Sequence, residues 1–211
     1  MPQNTDALLP IMTGQTVIPV IVLDDAKDAV PLAKALVAGG LPAIEITLRT
    51  DAALDSIRRV AAEVPDALVG AGTILNAAQF DEAVAAGSKF IVSPGLTPEL
   101  VEAANDSPVP LLPGAVTSSE IMAALEEGYS LLKFFPAEQA GGAAYLKSLS
   151  SPFGGVKFCP TGGVSAKNAP DYLSLPNVLC VGGSWVAPKD AVASGDWDRI
   201  TALAKEAAGA H

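Results

Sequence analysis

Eight short apolar or β-branched runs recur along the chain at a nearly constant interval, and this rhythm constrains the fold more than any other feature. They are VIPVIV (17–22), AIEIT (43–47), ALVGA (67–71), KFIVS (89–93), VPLLP (109–113), SLLKFF (130–135), VKFC (156–159) and VLCVG (178–182), and their starts lie 20 to 26 residues apart. Between them run Ala-rich segments such as AKDAVPLAKALVAGG and AAQFDEAVAAG, several ending in Gly as helix C-termini prefer. Helix starts are marked as well. Thr117 with Glu120 fits a capping box, Thr97 followed by Pro98 fits an N-cap with proline in the first turn, and Asn76 and Ser165 fit N-caps. Repeated βα units without a linker predict an α/β fold: a single domain over residues 1–211, built as a (β/α)8 TIM barrel with a short N-terminal helix. An open doubly wound sheet is the alternative, but eight regular units with few insertions favour closure.

Composition limits the function classes. Half of the 211 residues are apolar, enough for one large core. The formal net charge of −10, from 13 Lys and Arg against 23 Asp and Glu, disfavours a nucleic-acid binder, which needs a basic surface. MPQNTDALLPIM has no basic region ahead of its apolar stretch, and no apolar run is long enough to span a bilayer. A cytoplasmic protein with no membrane partner is expected. Cys159 and Cys180 lie in no CxxC spacing and are expected as reduced core residues. The one histidine is His211, at a chain end where order is usually lost, which argues against a histidine triad, a histidine base or a His-ligated zinc. No metal site is expected. Catalysis is left to Lys, Glu, Asp, Arg, hydroxyls and backbone.

Strand periodicity places candidates for that work. In AIEITLRT, Ile44, Ile46 and Leu48 share one face, so Glu45, Thr47 and Arg49 share the other and point into the barrel mouth. In SLLKFF, Leu132 and Phe134 face the helices, which turns Leu131, Lys133 and Phe135 inward. Lys133 and Glu45 are thereby expected to meet. A buried ion pair of purely structural use is one reading, though such pairs often add little net stability. The other is a reactive amine: desolvation disfavours an ammonium, and a neutral lysine can form a Schiff base with a carbonyl while a nearby carboxylate moves protons. Lys89 and Lys157 stand near strand starts, the stability face of a barrel, and are expected to reach solvent.

Loops after the strands supply the rest. CPTGGVS carries Gly162 and Gly163 after the seventh strand, and CVGGSW carries Gly182, Gly183 and Ser184 after the eighth, the usual place for a barrel's phosphate site. Glycines let backbone N–H groups approach an anion closely. In GAGT, Thr73 is a candidate donor to a carboxylate, set against a plain turn role. Pro94 and Gly95 in SPGLTPE shape a loop that offers an apolar wall, with the turn role favoured.

Taken together, AIEITLRT, VGAGT, SPGLTP, LLPGAVTS, LLKFFPAEQAGG and FCPTGGV…VGGSW closely resemble, in order and spacing, the class I 2-dehydro-3-deoxy-6-phosphogluconate (KDPG) aldolases of the KDPG/KHG aldolase family. The likeness covers about residues 14 to 186. It implies a metal-independent, cofactor-free lyase in which Lys133 forms the Schiff base with pyruvate and Glu45 is the general acid and base. It further implies that Arg49 and Thr73 hold the pyruvate carboxylate, that Thr161 touches the sugar-derived chain beside Pro94 and Phe135, and that Gly162, Gly163 and Ser184, with Gly182 and Gly183, hold the phosphate. A homotrimer in the Entner-Doudoroff pathway is implied, acting on a phosphorylated 2-oxo sugar acid, with 4-hydroxy-2-oxoglutarate, which some relatives cleave, as a further candidate substrate. Two other readings use the same loops: a phosphate-binding barrel isomerase, and a noncatalytic protein that binds a phosphorylated sugar acid.

Overall fold

The computed structural model describes residues 5–209, so residues 1–4 and 210–211, His211 among them, lie outside the described residues. Helices and strands alternate in the order α1 (Thr5–Thr13), β1 (Val17–Ile21), α2 (Ala29–Ala38), β2 (Ala43–Thr47), α3 (Ala53–Glu63), β3 (Leu68–Gly72), α4 (Ala77–Ala85), β4 (Ile91–Val92), α5 (Pro98–Asn105), β5 (Leu111–Leu112), α6 (Ser118–Glu126), β6 (Leu131–Phe134), α7 (Gly142–Leu149), β7 (Lys157–Pro160), α8 (Ala169–Leu173), β8 (Val181–Gly183), α9 (Lys189–Ser194) and α10 (Trp197–Ala208). Each apolar run of the sequence contains or overlaps one strand. β4 and β5 are two residues long, and Pro110 and Pro113 bracket β5, where a missing N–H ends ladder pairing.

The strands pair in parallel. Six form one sheet in the order β5-β4-β3-β2-β1-β8, and β6 and β7 form a second. Isolated parallel bridges join the two sheets at both edges, Gly114 with Lys133 and Thr161 with Gly182. The fold is thus α/β with parallel strands, and helices follow the strands as short crossovers require.

Two separate apolar clusters express the strand alternation. Ile44, Ile46, Leu132 and Phe134 lie in the larger one, packed with helix residues such as Leu36, Ile57, Ile121 and Leu146. Leu131, Phe90, Val92, Leu112, Cys159 and Cys180 lie in the smaller one, together with Leu8 and Met12 from α1. The N-terminal helix therefore plugs the end of the strands opposite the candidate site. Buried Gln15 supports that end: its Nε2 donates to the carbonyls of Val17 (2.6 Å) and Ala43 (2.8 Å), and its Oε1 accepts from the Ala43 N–H (2.8 Å). This satisfies backbone groups where β1 and β2 begin.

Local capping follows the sequence at three of four sites. Asn76 accepts from the Gln79 N–H (2.9 Å), Thr97 accepts from the Leu100 N–H (3.3 Å), and Thr117 and Glu120 form the reciprocal capping box. Ser165 does not cap a helix. α8 starts only at Ala169, after a turn, and the Ser165 N–H and hydroxyl both donate to Asn168 Oδ1, at 2.7 and 3.1 Å. A second correction concerns Gly182 and Gly183, which are the last residues of β8 rather than a loop beyond it. The run VLC pairs with β7 only through an isolated bridge from Val178 to Phe158, so the strand proper begins later than its composition suggests. Among the described residues no helix is long and apolar enough to cross a membrane.

Candidate active site

Two strands carry charged groups into the interior. Lys133 on β6 is 5% exposed, Glu45 on β2 is 3% exposed, and Lys133 Nζ lies 3.3 Å from Glu45 Oε1. The Lys133 ammonium also sits 5.1 Å from the centre of the Phe135 ring, within cation–π range. Gly72, at the end of β3, makes room for this pair, since a Cβ there would overlap the Glu45 carboxyl group. Gly72 is not among the candidates the sequence offers. The available signal was a glycine inside a strand run, which marks a close approach.

Neighbouring groups complete that half of the site. The Thr47 hydroxyl donates to the Ile21 carbonyl (2.9 Å) and accepts from Arg49 Nε (3.1 Å), so Thr47 anchors one edge of the guanidinium at the rim. Thr73 has φ of 60°, the one positive φ at a non-glycine among the described residues. A β-branched residue held there stores strain of about 1–3 kcal/mol, and such strain collects at functional sites. The Pro94 loop is fixed from two sides: the Ser93 hydroxyl donates to the Gly95 carbonyl (2.6 Å), and the absent side chain of Gly114 admits the Pro94 carbonyl.

The other half is made of backbone. After β7, Gly162 and Gly163 have φ of 99° and 76°, values that only glycine adopts readily. Three successive carbonyls here are engaged from behind. The Ala137 N–H donates to Thr161 O (2.8 Å), the Glu138 N–H to Gly162 O (3.1 Å), and Asn168 Nδ2 to Gly163 O (3.1 Å). In a trans peptide the carbonyl and the next N–H point in opposite directions, so the N–H groups of Gly162, Gly163 and Val164, residues that line the cavity, are turned away from these three donors. Successive N–H groups converging on one space form an anion nest. Gly182 and Gly183 adjoin it for steric reasons: a Cβ on Gly182 would overlap the Thr161 hydroxyl, and one on Gly183 would overlap the Trp185 ring.

One cavity of about 260 Å³ unites these parts. Its wall includes Glu45, Arg49, Thr73, Pro94, Lys133, Phe135, Thr161, Gly162, Gly163, Gly182, Gly183 and Ser184, together with Val20 and Val164, which the sequence does not single out; Thr47 and Leu131, also expected to face inward, do not line it, Thr47 bonding Arg49 and Leu131 lying in the smaller apolar cluster. An apolar residue in a hydrophobic strand gives no sign that it faces a ligand. Lys89 is exposed, and Lys157 donates to the Pro176 carbonyl (2.7 Å); neither lines the cavity. Cys159 and Cys180 are both free and buried, with Cys180 Sγ 4.0 Å from Met12 Sδ. Its hydrogen bond with Cys159, and burial, push the Cys180 thiol well up, which keeps it protonated. No group of three or more His, Cys, Asp and Glu among the described residues is placed to hold a metal ion.

A buried amine against a carboxylate can form and discharge an imine, and a nest of N–H groups across the same cavity can hold an anion. Fold and site together define an α/β enzyme for small anionic carbonyl compounds. Comparison with known proteins makes this specific. Residues 9–203 match the family model described as KDPG and KHG aldolase. The 2-dehydro-3-deoxy-phosphogluconate aldolase of Pseudoalteromonas atlantica is 56% identical over 191 residues, covering 90% of this chain and 89% of that protein. Among solved structures, the KDPG aldolase of Legionella pneumophila, with pyruvate captured at low pH as a covalent carbinolamine intermediate, superposes with a TM-score of 0.92 at 47% identity, over 94% of this chain and 97% of that one. The corresponding aldolase of Zymomonas mobilis, with 3-phosphoglycerate, gives 0.91 at 49% identity, over 97% and 96%. The chain belongs to the KDPG and KHG aldolase family, and is therefore a carbon–carbon lyase.

Proposed function

We propose that the protein cleaves 2-dehydro-3-deoxy-6-phosphogluconate to pyruvate and glyceraldehyde 3-phosphate through an imine on Lys133. The observation that carries this reading is the buried pair of Lys133 and Glu45, 3.3 Å apart, in the cavity whose far side is the glycine loop. The Lys133 amine adds to the C2 carbonyl of the substrate, giving a carbinolamine that loses water to become an iminium ion. Glu45 then accepts the proton of the C4 hydroxyl, the C3–C4 bond breaks, and its electron pair moves into the iminium to form an enamine while the aldehyde leaves. Glu45 returns a proton to C3. Hydrolysis of the resulting pyruvyl imine frees pyruvate and the lysine. The iminium is itself the electron sink, so the scheme calls on no metal or organic cofactor. A covalent carbinolamine of pyruvate in the Legionella relative supports the first step.

The remaining residues divide between the two ends of the substrate. Arg49 and Thr73 hold the pyruvyl carboxylate, Pro94 and Phe135 wall the site, and Thr161 meets the hydroxylated chain. Gly162, Gly163, Gly182, Gly183 and Ser184 take the phosphate, a reading supported by their place on the cavity wall, by the positive φ of Gly162 and Gly163, and by the phosphorylated ligand of the Zymomonas relative. 4-Hydroxy-2-oxoglutarate is a second substrate, as the family's description suggests. We further read the chain as a single domain whose strands close into a (β/α)8 barrel, supported by the bridges at Gly114–Lys133 and Thr161–Gly182, and as a cytoplasmic homotrimer.

Borohydride reduction in the presence of pyruvate tests the central step. Lys133 should gain the mass of the reduced pyruvyl adduct, and activity should be lost. A label on Lys89 or Lys157, or activity that survives, overturns the imine assignment. An isomerase or a noncatalytic binding protein would give no adduct at all.

A further inference from the structure

Glu138 stands directly behind the glycine loop, and no step of the proposed reaction uses it. Its backbone N–H donates to the Gly162 carbonyl (3.1 Å), and a Cβ on Gly163 would come within 2.6 Å of its Cγ, so the side chain packs against the loop from the side away from the cavity. Its carboxylate accepts a hydrogen bond from the hydroxyl of Tyr172 on α8, a residue 1% exposed. Gly142, the first residue of α7, borders the same group: a Cβ there would stand 3.5 Å from Glu138 Oε1 and 3.6 Å from the Tyr172 hydroxyl. Glu138 is exposed, yet its carboxylate still adds negative charge beside a loop read as taking a phosphate, so the direction in which it lies matters. The hydrogen bond from Tyr172 fixes that direction. Burial, and then the bond to Glu138, push the Tyr172 phenol well above the usual tyrosine range, so Tyr172 remains a proton donor to the carboxylate at all working pH values.

We propose that Glu138, held back by Tyr172, is a positioning residue that fixes the Gly162–Gly163 loop and so sets the enzyme's preference for phosphorylated substrates. The inference rests on the reading of that loop as the phosphate site. Glu138 touches no substrate. Its backbone N–H holds the Gly162 carbonyl whatever its side chain, so the glutamate acts through the packing of its aliphatic stem on Gly163, while the phenol fixes the direction of its charge. The contacts join residues 34 positions apart in sequence, which couples the segment after β6 to α8 across the loop.

The test compares a phosphorylated and a nonphosphorylated 2-oxo acid on four forms of the full chain. The parent must first prefer the phosphorylated substrate; if it does not, the phosphate-site reading itself has failed, separately from the role of Glu138. Given that preference, Tyr172→Phe should raise KM for the phosphorylated substrate roughly 10-fold, the scale of a loosened binding group, with kcat and the nonphosphorylated reaction little changed. Glu138→Gln keeps an acceptor for the phenol and removes the charge, so its KM should stay near the parental value. The double variant Tyr172→Phe/Glu138→Gln should recover most of the loss, because no unrestrained negative charge is left beside the loop. Parallel losses on both substrates, or a double variant no better than Tyr172→Phe, overturn the proposal and assign the pair to packing alone. Should Tyr172→Phe fail to fold, Glu138→Ala against Glu138→Gln decides: the alanine form should lose affinity for the phosphorylated substrate only, and equal KM values in the two forms overturn the proposal.

Discussion

The two halves of the cavity are built from different materials. At β2 and β6 the working groups are side chains, Glu45 and Lys133, buried and paired at 3.3 Å. At β7 and β8 the wall is mostly backbone, with glycines at 162, 163, 182 and 183 and the hydroxyls of Thr161 and Ser184. The difference follows from the tasks proposed for each half. Making and breaking bonds needs groups that gain and lose protons, whereas holding a dianion needs only fixed dipoles, which cost no desolvated charge when the site is empty. On the proposed roles, side-chain chemistry is concentrated in two positions, and anion binding is spread over many small contributions.

Substitutions should expose this asymmetry. The largest effect is expected at Lys133: Lys133→Met removes the nucleophile and should lower kcat/KM for every 2-oxo acid by about 10⁴-fold or more, since the residual rate then comes from binding alone. Comparable turnover with and without the lysine would erase the distinction between the halves. Next comes Glu45→Gln, which should still allow borohydride trapping of pyruvate but slow exchange of the pyruvate methyl protons, followed by NMR, by about 10²-fold or more. Equal exchange in the variant and the parent would reduce Glu45 to a partner for the lysine.

The backbone half should respond more weakly and more selectively. Ser184→Ala should cost about 1.5–3 kcal/mol in kcat/KM for the phosphorylated substrate, the scale of a hydrogen bond to a charged group, and leave a nonphosphorylated substrate nearly unchanged. Parallel losses on both substrates would show that Ser184 shapes the fold instead. The smallest effect is expected away from both halves, at the capping box of α6. Backbone N–H bonds from Thr117 and then Val116 hold the Glu120 carboxyl below its ordinary value of 4.5, so it adds stability above that pH, and the contribution is lost as the pH falls through the lowered folded value. Glu120 is largely exposed, so Glu120→Gln should remove only a few tenths of a kcal/mol at neutral pH and flatten that part of the acid limb, measured by denaturant titration between about pH 3 and 6.

Much of the candidate site could be read in the sequence because its placement depends on local periodicity. The inward turn of Glu45 and Lys133 follows from the two-residue repeat of a strand, and once Ile44, Ile46, Leu132 and Phe134 are assigned to the helix side no freedom remains. The capping box at Thr117 is equally local, because both its bonds close within three residues. Ser165 shows where this stops. It has the right residue type, but the first turn of α8 forms four residues later, and Asn168 takes the Ser165 hydroxyl as a donor.

What the sequence determined by itself was the alternation of strands and helices and the face on which each reactive side chain stands, because sterics within a few residues decide both. Only the tertiary structure decided which distant segments meet. The room that Gly72 leaves for the Glu45 carboxyl, the fit of Gly182 against the Thr161 hydroxyl, and the hydrogen bonds that reach the loop carbonyls of 161 to 163 from behind all depend on the register between separate segments. No local pattern encodes that register. It is set by how the two apolar clusters pack, so a glycine inside a strand run can be a space left for a carboxylate, and an exposed glutamate can accept a hydrogen bond from a buried tyrosine 34 residues away.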